Sequence, residues 1–164
     1  MNVDQQTLAD LIDERLPRSM VRAIQSGYKG PGRFDVYLSV LQDRVPWSDR
    51  ILMPFGDNLF VVVKPDGRRL VKCRCGHEFC PPDQNWKLDA LIHVRDSEEA
   101  LLEIFPRMMH GDPEWQEIRE YFCPGCHAQL EVEAVPPGYP IVHDFVPDID
   151  GFYEEWLGRR PPPS

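Results

Sequence analysis

The stretch VKCRCGHEFC, from Val71 to Cys80, contains three of the chain's five cysteines. The other two belong to the stretch CPGC, from Cys123 to Cys126. Cysteines in an odd number and in tight clusters do not suit a framework of structural disulfides, whereas they are typical of metal sites and of catalytic thiols. The organisation of the fold therefore depends on what these two clusters do.

Two pairs of thiolates on tight turns are a common way to supply zinc with four tetrahedral ligands. CPGC has the usual spacing for such a turn, and the two cysteines of CRC point to the same side if the segment is extended. Gly76 follows them and can adopt the positive φ angle that closes the turn. We predict a zinc-ribbon-like site whose halves are separated by a long insertion, about residues 76–122. The predicted ligands are Cys73, Cys75, Cys123 and Cys126.

Other uses of these thiols fit the sequence less well. A redox-active CPGC needs its first cysteine at a helix N-terminus, but we predict a helix that ends before Cys123 and a strand that follows Cys126. The stretch GHEF lacks the spacing of a zinc deaminase or of an HExxH hydrolase. One alternative stays open, in which His77 or Cys80 replaces Cys73 as a ligand.

The composition indicates a soluble globular chain of about one domain's length. It has 164 residues, of which 42% are apolar and 27% are charged, and these shares are ordinary. The formal net charge of −9 disfavours nucleic acid and anionic membranes as partners, because phosphate groups bind cationic surfaces. No apolar run reaches the roughly 18 residues of a membrane span, and the acidic N-terminus does not resemble a signal peptide. We therefore expect a cytoplasmic protein.

Hydrophobic spacing divides the chain into a helical beginning and a β-rich remainder. Residues 1–45 form a predicted N-terminal helical segment. Apolar runs separated by turn signals predict a small antiparallel sheet over residues 50–73. We predict that residues 46–158 form a β-rich zinc-binding domain and that residues 159–164 form a flexible tail. The fold class is therefore α+β, with a small antiparallel sheet, a zinc-ribbon-like site of four cysteines and short flanking helices.

The insertion and the end of the chain carry further predicted elements. LDALIHVRD and AQLEVEAV predict strands, and EEALLEIF predicts a helix that Asp96 and Glu99 cap. PEWQEIREYF predicts another helix, which runs into Cys123. GFYEEWLG predicts a last short helix that ends at Gly158. We accordingly describe the insertion as helical.

No motif for catalysis is visible. The chain lacks a glycine-rich phosphate loop, a dinucleotide-binding fingerprint and a nucleophile elbow, and its five histidines do not form a paired ligand spacing. Four tryptophans in so small a chain indicate an interface with another protein as well as a core. We predict no catalytic residue and no cofactor-binding residue besides the metal ligands. The residues alone describe a small, acidic, zinc-bearing accessory subunit.

Several long motifs resemble one family. LVKCRCGHEF, NWKLDALIHVRD, REYFCPGC, QLEVEAVPPGYP and HDFVPDIDGFYEEWLG, with the strand NLFVV, resemble the small gamma subunit of bacterial acetone carboxylase. The resemblance covers about Asn58 to Gly158. In the family pattern, C-x-C-G-H is followed by C-P-x-C, which maps the zinc ligands onto the same four cysteines and leaves Cys80 out.

The resemblance implies a role inside a larger enzyme. Acetone carboxylases are heterohexamers of alpha, beta and gamma subunits that use ATP to carboxylate acetone with bicarbonate, which yields acetoacetate. The resemblance implies that ATP and Mn²⁺ bind in the larger alpha and beta subunits, whereas the small subunit carries a structural Zn²⁺. Two alternatives accompany this interpretation. The chain could be the small subunit of a related acetophenone carboxylase, or a stand-alone zinc-ribbon adaptor.

Overall fold

The computed structural model describes residues 3–30 and 32–163. It contains short helices and two three-stranded antiparallel sheets, which confirms the predicted α+β class. Among these residues, none of the helices has the length and hydrophobicity that a membrane span requires. The helices are α1 (Gln5–Ile12), α2 (Arg18–Ser26), α3 (Arg33–Gln42), α4 (Glu98–Leu102) and α5 (Ile149–Gly151). The strands are β1 (Arg50–Pro54), β2 (Leu59–Val63), β3 (Arg69–Cys73), β4 (Leu91–Arg95), β5 (Glu117–Phe122) and β6 (Gln129–Val135). A 3-10 turn covers Trp86–Asp89, and a π-helical turn, Phe152–Trp156, follows α5.

The predicted N-terminal helices are present as α1, α2 and α3. The carboxylate of Asp4 accepts a hydrogen bond from the N–H of Thr7 at 2.8 Å, which satisfies one of the free amides of the first turn of α1. α2 ends at Gly27, which follows its last residue, Ser26. α3 then packs apolar side chains, among them Leu41, on one face of the first sheet.

The first sheet, in the order β1-β2-β3, confirms the antiparallel sheet predicted over residues 50–73. Both of its faces are buried. Phe60 and Val62 of β2 pack with apolar residues of α3. Val61 and Val63 point the other way and pack with Tyr153 of the π-helical turn. All five residues of β2 are buried, which explains why the strand reads as a continuous apolar run.

The second sheet has the strand order β4-β5-β6. It is the part of the fold that differs most from the sequence prediction. The predicted helix over PEWQEIREYF is wrong, because β5 occupies its second half and lies in the middle of the sheet. Arg119 and Glu117 of β5 are buried as an ion pair at 2.5 Å. Glu120 is buried against Arg95 of β4 at 2.6 Å. Such pairing lets charged side chains occupy buried strand positions, so the apolar alternation of a strand is hidden.

The insertion needs two further corrections. It is not mainly helical, because it supplies β4 and β5 to the second sheet. Its helix α4 is confirmed, but Asp96 does not cap it. The hydroxyl of Ser97 accepts a hydrogen bond from the N–H of Ala100 at 3.3 Å instead. The last predicted helix is also present, as α5 and the π-helical turn, and the division of the chain at residues 45 and 158 stays a prediction.

A third apolar cluster joins the two sheets. It combines Leu59 and Val71 of the first sheet with Tyr121 of the second. Cys73, at the end of β3, and Cys123, directly after β5, belong to the same cluster. The packing therefore brings the two cysteine-bearing turns side by side.

Candidate metal centre

The first cysteine pair lies on the turn after β3. The chain folds back after this turn, and residues 78–80 pair with β3, with the N–H of Val71 donating to the carbonyl of Cys80 at 2.8 Å. The N–H of Gly76 donates to the carbonyl of Cys73 at 2.8 Å. Gly76 has a φ of +107°, as its place in the predicted turn requires. This backbone arrangement turns both thiols of the pair toward the second sheet.

Trp47 contacts this turn, and no sequence pattern predicts the contact. Its indole N–H donates to the carbonyl of Arg74, between the two cysteines, at 3.1 Å. A Cβ on Gly76 would lie 3.2 Å from the indole ring. The turn therefore needs glycine at this position both for its φ angle and for the close approach of Trp47.

The second cysteine pair lies on the hairpin turn between β5 and β6. The N–H of His127 donates to the carbonyl of Cys123 at 2.8 Å, and the N–H of Cys123 donates to the carbonyl of Ala128 at 3.0 Å. The N–H of Gly125 points at the sulfur of Cys123, 3.4 Å away. His127 takes the position that Gly76 has in the first turn, immediately after the second cysteine, and also has a positive φ, +59°.

The four predicted ligands come together in one group. Their sulfur atoms all lie within 4.8 Å of one another. The sulfurs of Cys73 and Cys126 are 3.8 Å apart, and those of Cys75 and Cys123 are 3.7 Å apart. A tetrahedron with metal–sulfur bonds of about 2.3 Å has sulfur–sulfur edges of about 3.8 Å. The group could therefore hold a metal ion, and its dimensions fit zinc.

The surroundings of the thiols differ within each pair. Cys73 and Cys123 are buried, whereas Cys75 and Cys126 are exposed. Burial raises the pKa of the Cys73 and Cys123 thiols, and the backbone N–H of Ala128 lowers the pKa of Cys126. Buried thiols do not ionise readily without a nearby positive charge, and a divalent cation supplies one.

Cys80 and His77 lie outside the group of four. The buried thiol of Cys80 donates to the carbonyl of Gln84 at 3.4 Å, and burial raises its pKa to about 11. The ring of His77 packs edge-on against Phe79, with 4.8 Å between ring centroids. Neither CRC nor CPGC begins a helix. The element before Cys123 is the strand β5, where a helix was predicted. The helix N-terminus that would activate a redox thiol is therefore absent at both turns.

Two buried lysines form ion pairs beside the site, and the sequence analysis predicted neither of them. Lys72 of β3 lies 2.5 Å from the carboxylate of Asp49 and above the ring of Trp47, 4.9 Å from its centroid. Lys87 lies 2.7 Å from Glu131 of β6 and 2.6 Å from Asp144. Such lysines read as surface residues in a sequence, because only the fold brings their carboxylates to them.

A family model and a relative matched over nearly its whole length name the same family. The family model described as the acetone carboxylase gamma subunit matches residues 45–157. The acetone carboxylase gamma subunit of Xanthobacter autotrophicus is 47% identical over 156 residues, which cover 94% of this chain and 93% of that protein. The acetophenone carboxylase beta subunit of Aromatoleum aromaticum is 34% identical over 82 residues, which cover 46% of this chain and 60% of that protein.

Proposed function

The chain belongs to the acetone carboxylase gamma subunit family, and from this premise we propose that it is the small, zinc-binding, non-catalytic subunit of an ATP-dependent acetone carboxylase. In this proposal the whole enzyme is a cytoplasmic heterohexamer with larger alpha and beta subunits. It joins acetone and bicarbonate to form acetoacetate, a ligase reaction that creates a carbon–carbon bond. ATP and Mn²⁺ bind in the larger subunits.

The observation that carries the zinc assignment is the geometry of the four thiols. Cys73, Cys75, Cys123 and Cys126 form a set of four sulfur donors within 4.8 Å of one another, and two of their sulfur–sulfur distances, 3.8 and 3.7 Å, match the edge of a zinc–thiolate tetrahedron. Four protein ligands leave zinc no open position for a substrate or a water molecule, which is typical of structural zinc. Bound there, zinc would link the turn after β3 to the turn after β5 and so hold the two sheets together.

The proposal gives this chain no chemistry of its own. In residues 3–30 and 32–163, the four cysteines form the one group of three or more side chains placed to share a metal ion. Stabilising the phosphorylated intermediates of an ATP-dependent carboxylation calls for a metal or a cluster of cations. We therefore assign the chemistry to the larger subunits and no catalytic residue to this chain.

A second candidate is favoured by the shorter similarity. The match to an acetophenone carboxylase subunit leaves an aryl ketone as the alternative substrate of the complex. The choice of ketone would rest with a pocket in the larger subunits. A stand-alone zinc-ribbon adaptor is the remaining alternative, and it predicts that neither set of larger carboxylase subunits binds this chain.

Co-expression tests the proposal. An affinity-tagged chain should co-purify with the larger acetone carboxylase subunits and contain one zinc per chain by metal analysis. Cys126→Ser should lose the zinc and then the complex, whereas Cys80→Ser, which changes a thiol outside the group, should keep both. A stable monomer that the larger acetone carboxylase subunits ignore would contradict the proposal. Assembly with acetophenone carboxylase subunits alone would favour the second candidate.

A further inference from the structure

Sheet edges expose unpaired backbone groups, and proteins usually protect them. The two sheets have four edges in the part of the chain that the structure describes. The β1 edge is interrupted by a bulge at Leu52 and ends at Pro54. The β3 edge is covered by residues 78–80. The β6 edge carries the inward-pointing charges of Glu131 and Glu133 and is followed by prolines.

Within the described part of the chain, the outer edge of β4 has no bulge, no proline and no covering segment. Among the described residues, no hydrogen bond joins the outer backbone groups of Leu91–Arg95 to another segment. The one charged side chain of the strand, Arg95, is paired with Glu120 of β5 and with the exposed Glu103, so it places no unpaired charge on the edge. Exposed apolar side chains lie on both faces of β4, and another lies three residues before the strand begins. Leu88, Leu91, Ile92 and Val94 are between 37% and 65% exposed.

Acidic residues flank this apolar edge at both ends. Asp89 precedes β4, and Asp96, Glu98 and Glu99 follow it, all exposed. The edge therefore matches an extended segment with an apolar centre and lysine or arginine at its ends, because backbone groups pair with backbone groups and opposite charges meet at the flanks. A free edge of this composition promotes aggregation of an isolated chain, whereas in a complex the same edge can pair with a strand of the partner.

We propose that the β4 edge is a docking site for a basic-flanked, apolar extended segment of one of the larger carboxylase subunits, which adds to the second sheet as a fourth strand. This inference rests on the proposed function, since it takes those subunits as the partners. A strand of five residues is smaller than a stable interface of about 800 Å² per partner. The β4 edge is therefore one anchor within a wider contact.

Photo-crosslinking tests this placement in the assembled complex. A photoreactive phenylalanine replaces Leu88 or Leu91 in turn, and Tyr28, which is 81% exposed on the N-terminal segment, provides the matched control. Crosslinks from the two β4 positions should map to one extended peptide of a larger subunit with basic residues at its ends. Equal yields from position 28, or crosslinks to a second copy of this chain, overturn the inference.

Charge substitution gives an independent measurement. The double variant Leu91→Lys with Val94→Lys places like charges along the edge, and we expect it to weaken assembly with the larger subunits by about tenfold. Val132→Lys, at a half-exposed position of β6, should change assembly by less than about twofold. Zinc content and thermal unfolding equal to those of the wild type would show that the double variant folds. If the variant does not fold, the crosslinking experiment alone tests the inference. If the wild-type chain assembles and neither experiment singles out β4, the inference fails while the proposed function stands. If the wild-type chain does not assemble, both fail.

Discussion

The hydroxyl of Tyr153 donates a hydrogen bond to the carbonyl oxygen of Leu52 at 2.7 Å, although 101 residues separate the two. Leu52 lies in the bulge of β1, where the register shifts between Ile51 and Met53, so it has no partner residue across the β1–β2 ladder. Both side chains are fully buried. The end of the chain therefore satisfies a backbone group that the first sheet leaves free.

Replacing Tyr153 with phenylalanine tests this bond. Tyr153→Phe keeps the ring in the core but removes the donor, which leaves a buried carbonyl without a partner. We expect the free energy of unfolding to fall by about 1–2 kcal/mol, measured by urea denaturation. Tyr28→Phe, at an exposed position, is the control and should leave stability unchanged. An equal effect of the two substitutions would show that the bond contributes nothing.

The two cysteine turns predict opposite responses to changes at their positive-φ residues. Gly76→Ala adds a Cβ at φ +107°, 3.2 Å from Trp47, and we expect it to destabilise the protein by about 2 kcal/mol. His127→Gly relieves the strain of a side chain at φ +59° and should be neutral or stabilising by up to about 1 kcal/mol. Thermal unfolding of the zinc-loaded protein compares the two, and destabilisation by both substitutions would contradict the argument.

The ion pair between Asp49 and Lys72 predicts a pH-dependent contribution to stability. Burial alone would raise the pKa of Asp49, but hydrogen bonds from Lys72 and Lys64 outweigh it and hold the pKa below the ordinary value of 3.8. The folded state therefore favours the carboxylate. Its contribution is complete well above pH 3.8 and is lost as the pH falls through the lowered pKa.

Asp49→Asn should accordingly cost about 3 kcal/mol at pH 7, because it leaves Lys72 buried without its closest counter-charge. The difference from wild type should shrink as the pH falls below about 4. Asp66→Asn removes an exposed pair with Arg68 and should have little effect at any pH. Denaturant titrations at pH 7 and pH 3 measure both variants. A pH-independent loss for Asp49→Asn would count against the ion pair.

Lys87 predicts a strong coupling within the second sheet. Burial would lower its pKa, but the carboxylates of Asp144 and Glu131, 2.6 and 2.7 Å from its ammonium group, outweigh this and raise it. Lys87→Met leaves these carboxylates without their cation, and we expect a loss of about 3 kcal/mol at pH 7. Adding Glu131→Gln to Lys87→Met should restore part of that loss, whereas Glu131→Gln alone should destabilise. A double-mutant cycle of unfolding free energies measures the coupling, and strictly additive effects would refute it.

The sequence was informative where short-range patterns determine structure. The turn signals and apolar runs predicted β1–β3, and cysteine spacing with Gly76 predicted which four thiols the fold would gather. It failed at β5, because Glu117, Arg119 and Glu120 are polar by type but buried by pairing. The cap at Ser97 was missed by one position. The positive φ of His127 carries no local signal, since only the hairpin around it imposes that angle.

The separation of the two cysteine turns along the chain has a consequence for biosynthesis. The first sheet and its pair, Cys73 and Cys75, are built from contacts close in sequence, whereas the sulfur contacts across the group span 48 and 53 residues. At translation rates of about 5–20 residues per second, the second pair emerges from the ribosome about 3–10 s after the first. During that interval the nascent chain presents half of a chelating group. Its thiols are then accessible to oxidants or to metals that prefer two sulfur ligands, so correct maturation depends on how quickly the second hairpin closes over the first.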